Sequence, residues 1–131
     1  MFNGDNPYER YRQTQIQTAS PLDLIIMMYD GAIRFINQAK KALAEKDFIL
    51  ANKALQSAQD IINELNISLN PEAGEIAINL RNLYAFINQR LIEANVKKDG
   101  EILDGVLQLL TTLRSSWTGL QAAKKPAAVQ K

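Results

Sequence analysis

From Pro21 onward, large apolar side chains and alanines recur at alternating steps of three and four residues. The first stripe is Leu22, Ile25, Tyr29, Ala32, Ile36, Ala39 and Leu43. A second runs through Phe48, Ala51, Leu55, Ala58, Ile62, Leu65 and Leu69. Ile76, Leu80, Leu83, Ile87 and Ala94 form a third, interrupted by Arg90, and Leu103, Val106, Leu110, Leu113, Trp117 and Leu120 a fourth. That spacing lays one apolar stripe along a helix of about 3.6 residues per turn, and each stripe needs another helix to cover it. No strand-like alternation competes with it.

The helix boundaries are written in local chemistry. Ser20-Pro21-Leu22-Asp23 combines a hydroxyl N-cap, a proline in the first turn and an acid placed to bond back to the cap. Asp47 can cap the second helix, and Asn70-Pro71-Glu72 repeats the cap-proline-acid grammar for the third. Lys97 and Lys98 suit a helix C-terminus, and Asp99-Gly100 marks the turn before the fourth helix. Connections this short force neighbouring helices to run antiparallel. The expected fold is all-α, an antiparallel up-down four-helix bundle over residues 20–123. Residues 1–19 break the period and form a short helical or extended arm, in which the stretch from Asn6 to Ala19 is polar with three large side chains, Tyr8, Tyr11 and Ile16. The tail 124–131 has no apolar period and is expected to be disordered.

Composition narrows the chemistry. The 131 residues carry no histidine and no cysteine, which removes Ser-His-Asp triads, histidine and thiolate metal sites, disulfides and cysteine nucleophiles. A net charge of +1, with no basic stretch, speaks against nucleic-acid binding. The longest apolar run, Leu24 to Tyr29, is far short of a membrane span, and the opening Met1-Phe2-Asn3-Gly4-Asp5 lacks the features of a secretory leader. A cytosolic chain with no cofactor, no metal and no membrane insertion is the expectation.

Some helices carry more apolar surface than a bundle seam requires. Leu24, Met28, Gly31 and Phe35 form a second line on the first helix, about 100° from the seam. The third helix adds Ala77, Ile78, Tyr84, Phe86 and Leu91, and the fourth adds Ile102, Leu107 and Leu109. The bland account is a compact bundle burying broad faces; the alternative is a groove that accepts an amphipathic helix. Leu24, Met28, Phe35 and Tyr84 are the candidate groove residues. Gly31, in mid-helix, implies either a close backbone approach or a neighbouring helix that needs a small residue beneath it. Catalytic groupings are thin. Glu72 with Glu75, and Asp60 with Glu64, read as helix-terminus and surface carboxylates rather than an acid–base pair.

Three stretches carry a resemblance. Asn6-Pro7-Tyr8, then Thr18-Ala19-Ser20-Pro21, then Leu24-Ile25-Ile26-Met27-Met28-Tyr29-Asp30-Gly31-Ala32 are similar to the bacterial flagellin export chaperone family (FliS-type). Residues 58–66, residues 91–99 and Leu113-Arg114-Ser115-Ser116-Trp117 extend the match in order. The resemblance implies a non-enzymatic cytosolic chaperone. It would bind the disordered C-terminal segment of flagellin, prevent premature polymerisation and help deliver the subunit to the cytoplasmic domain of the flagellar export gate. A generic helical adaptor for another amphipathic partner is the competing reading. Tyr8, Tyr11 and Ile16 are expected to anchor the arm over the flagellin groove in the free protein, or on a neighbouring copy in a swapped homodimer.

Overall fold

The computed structural model describes the backbone of residues 20–129 and side chains as far as residue 123. Four helices follow one another: α1, Pro21–Ala44; α2, Phe48–Ile67; α3, Glu75–Lys97; and α4, Ile102–Val129. A 3-10 turn, Pro71–Ala73, precedes α3. The described chain is the expected all-α four-helix bundle. The arm lies outside the described residues. α4 continues through residues 124–129 of the expected tail as helix.

The caps are those the residue types predict. Ser20 Oγ accepts the Asp23 N–H at 3.1 Å, and Asp23 Oδ2 accepts the Ser20 N–H at 3.3 Å, a reciprocal capping box. Asp47 Oδ1 accepts the Leu50 N–H at 3.2 Å, and Asn70 Oδ1 accepts the Glu72 N–H at 3.0 Å. The C-termini of α1 and α3 differ from common practice. Lys46 (φ 59°) and Lys98 (φ 55°) occupy left-handed positions where glycine usually sits. A Cβ there is crowded by its own backbone, so Lys46→Gly is expected to stabilise the bundle by about 1 kcal/mol. Chemical denaturation of the variant measures it.

The core is almost wholly aliphatic and alanine-rich. Tyr29, Ile36, Leu55, Ile62, Ile87, Leu91, Leu103 and Leu110 are buried among Ala32, Ala39, Ala51, Ala58 and Ala94. Small residues bring the helices close. A Cβ built on Gly31 would stand 3.1 Å from Cδ1 of Ile61, so the mid-helix glycine is there to let α2 lie against α1. Polar pairs set the register at the edges. Arg114 bonds Asp30, Gln121 bonds Asp23 and Lys40 pairs with Asp104 along α1 and α4. Asn95 donates to Asn52 at 2.7 Å and Asn88 to Asn63 at 2.8 Å between α3 and α2.

One stripe is displaced. The buried line of α3 runs through Ala77, Tyr84, Ile87, Leu91 and Ala94, with Ile76 exposed and Leu83 only half-buried. Arg90 therefore interrupts nothing, because Leu91 holds the core position in that turn. The expected seam is one residue out at Ile76 and Leu83, where Ala77 and Tyr84 are buried instead, while Leu80 packs on the core as spaced.

Candidate functional site

The chain between α2 and α3 does not close the bundle. After α2 ends, the 3-10 turn and Gly74, at φ +68°, swing the backbone before α3 begins. The first buried residue of α3 is then the small Ala77, and Ile76 is left 66% exposed. A recess of about 200 Å³ opens beneath this connection. Leu65 and Leu69 form one wall, Ile76 and Leu80 another, and Ile25 and Trp117 close it from α1 and α4. Its lining is apolar apart from Ser68, Asn70 and the phenol of Tyr84. Nothing in it can hold a metal ion, and no cluster of metal-ligating residues exists among the described residues.

Tyr84 sits at the inner wall, 2% exposed, with its hydroxyl 2.7 Å from that of Tyr29. Burial raises the pKa of both phenols, and hydrogen bonds from Tyr84 and Trp117 only partly offset that for Tyr29. The sign for stability follows. An unfolded tyrosine releases its proton near its ordinary value of 10.0 while the folded pair retains it, so stability is intact below that pH and declines above it. Thermal unfolding across the alkaline range is expected to show this loss, and Tyr84→Phe is expected to lessen it.

The sequence-derived groove residues fall in two places. Leu24, Met28 and Phe35 are half-buried on α1, Met28 and Phe35 packing on the core, and none of them lines the recess. Tyr84 lines it, but as a core residue and not as the surface residue expected. Tyr8, Tyr11 and Ile16 lie outside the described residues. Sequence reasoning placed Leu69, Ile76, Leu80 and Trp117 in core seams and so missed them as recess residues. No local signal marks them, because the recess depends on how far the connection between α2 and α3 splays the two helices.

A bundle with an apolar recess at one end is a geometry that several kinds of adaptor share, so sequence comparison decides between them. The family model described as Flagellar protein FliS matches residues 4–124. The chain belongs to the FliS family. It is 36% identical over 121 residues to the flagellar secretion chaperone FliS of Bacillus subtilis, covering 92% of this chain and 90% of that one. It is also 36% identical over 107 residues to the FliS chaperone of Salmonella typhimurium, covering 80% of this chain and 79% of its relative. A crystal structure of a bacterial flagellar chaperone superposes with a TM-score of 0.75, over 88% of this chain and 95% of that one; at 23% identity it speaks to fold alone. Membership in FliS makes the chain a flagellar export chaperone rather than an enzyme. No helix among its described residues is long and apolar enough to cross a membrane.

Proposed function

We propose that this FliS protein binds the disordered C-terminal segment of flagellin in the cytosol, holds it against premature polymerisation, and presents the complex to the export gate. The observation carrying this reading is the open apolar recess, with Ile76 and Trp117 on its walls, in a chain of the FliS family. A recess of about 200 Å³ accommodates one or two large aliphatic side chains, which suits an amphipathic helix laying down its apolar face. Folding of the segment on binding lets a small bundle engage a long stretch of client.

The arm enters this reading as a competitor. It joins α1 at Ser20, and Ile25, little more than one turn along, already lines the recess. Tyr8, Tyr11 and Ile16 supply apolar anchors. In the free protein the arm covers the recess, and flagellin displaces it; docking on a second copy gives a swapped dimer. Leu24, Met28 and Phe35 extend the client surface along α1.

Calorimetry of the full chain with a peptide spanning flagellin's C-terminal segment tests the proposal. Binding with a negative heat-capacity change is expected, and flagellin lacking the segment is expected not to bind. Equal binding of truncated flagellin favours a generic adaptor instead. Hydrogen exchange tests the arm: protection around residues 8–16 in the free protein, lost on adding the peptide, is the expected pattern.

A further inference from the structure

The apolar core stops part-way along α4. Leu103, Val106 and Leu110 are buried, but no side chain from residue 111 to residue 123 is. Leu113 and Trp117 only rest against the core from half-buried positions. Helix propensity is low in the same stretch, because six of the nine residues 111–119 are threonine, serine or glycine. Yet Trp117, which closes the recess from α4, belongs to this weakly held part of the helix.

Two polar links hold the stretch against α1. Arg114, three residues before Trp117, donates Nε and Nη2 to the two carboxylate oxygens of Asp30. Gln121, four residues after Trp117, donates Nε2 to Asp23 Oδ1. The donors are seven residues apart on α4 and the acceptors seven apart on α1, two turns in each case, so the links grip the turn of Trp117 from both sides. Asp23 is itself oriented. Its Oδ2 accepts the Ser20 N–H in the capping box, which leaves Oδ1 for Gln121. Between the links the Trp117 indole hydrogen-bonds the Tyr29 hydroxyl.

We propose that Arg114 and Gln121 are positioning residues of the recess. Their links to Asp30 and Asp23 hold the turn of Trp117 so that the indole stands as a wall, with its N–H on Tyr29, before a client arrives. Apolar burial and helix propensity are both short here, and the links supply the missing order. A wall that is already in place spares the client the cost of ordering it on binding. The effect on client affinity rests on the flagellin reading above, whereas the positioning of the indole does not.

The full 15N-labelled chain tests this, because its single tryptophan gives one indole N–H resonance. Arg114→Met and Gln121→Met keep an unbranched side chain and remove the donors. Each is expected to speed exchange of the indole proton with water about tenfold, while the amides of Leu103, Val106 and Leu110 exchange as before. Each should also weaken binding of a flagellin C-terminal peptide about threefold. Arg114→Lys and Gln121→Lys retain a donor and should restore most of both properties. Unchanged indole exchange in the methionine variants would overturn the proposal. Equal acceleration in the lysine variants would do so too, since the donors would then be irrelevant. Acceleration shared by the buried amides of α4 would reduce the links to general stability and overturn it equally. Faster indole exchange with unaltered peptide affinity would leave the positioning standing and move the client away from Trp117. A wild-type chain that binds no flagellin peptide would sink the flagellin reading, and the indole exchange would still decide the positioning.

Discussion

Alanine at Leu55, Ile62, Ile87 or Leu110 is expected to lower stability by about 2–5 kcal/mol, through lost transfer energy plus the cavity left behind. All four side chains are completely buried, and they come from α2, α3 and α4. Collapse around the gap is limited, because much of the neighbouring core is alanine that cannot reach across it. Leu83→Ala is the internal control. Its half-buried side chain should cost clearly less than Ile87→Ala, one turn away on the same helix. Urea titration of the five variants measures the difference. A loss at Leu83 equal to that at Ile87 would restore the displaced α3 seam and contradict the register described above.

That displacement shows which parts of the fold the residue pattern carries. The stripes of α1 and α2 are regular, and their seam residues from Tyr29 to Leu43 and from Ala51 to Leu65 are buried as spaced. On α3 nearly every third or fourth position is apolar in two adjacent lines, so period alone leaves the choice open. Packing decides it: Tyr84 reaches the Tyr29 hydroxyl and Leu91 takes the turn of Arg90. Pattern counting has no term for a hydrogen bond to another helix, and for that reason it placed Tyr84 on the surface. The caps at Ser20, Asp47 and Asn70 were legible because each is a contact within three residues. The recess was not. It depends on how far the 68–74 connection splays two helices, which no local signal encodes. The resemblance in residues 18–32 carried the family, while the place where a partner docks needed the three-dimensional path of the chain.

The second large effect concerns that place. Ile76→Asp is expected to weaken binding of a flagellin C-terminal peptide by more than tenfold, a loss of about 1.4 kcal/mol or more, while the bundle melts as before. Ile76 is two-thirds exposed, so a carboxylate there stays hydrated in the free protein. Once an apolar helix covers the recess, the same carboxylate is stripped of water with no cation among the recess residues to receive it. Met28→Glu is a poorer probe of the client surface. Met28 packs partly on the core, so the charge would destabilise the bundle and confound affinity with folding. Trp117 supplies the direct readout, because its indole forms a wall of the recess and is the protein's single tryptophan. Client binding should shift its emission to shorter wavelength as water leaves the ring, and Ile76→Asp should move that transition to higher peptide concentration. A shift of unchanged midpoint in the variant would place the client elsewhere, with the half-buried line of Leu24, Met28 and Phe35 on α1 the next surface to test. A deletion of residues 1–17 separates the arm from the client: if the arm covers Trp117 in the free protein, its removal alone should shift the emission to longer wavelength and raise peptide affinity, because the recess then no longer has an internal occupant to displace.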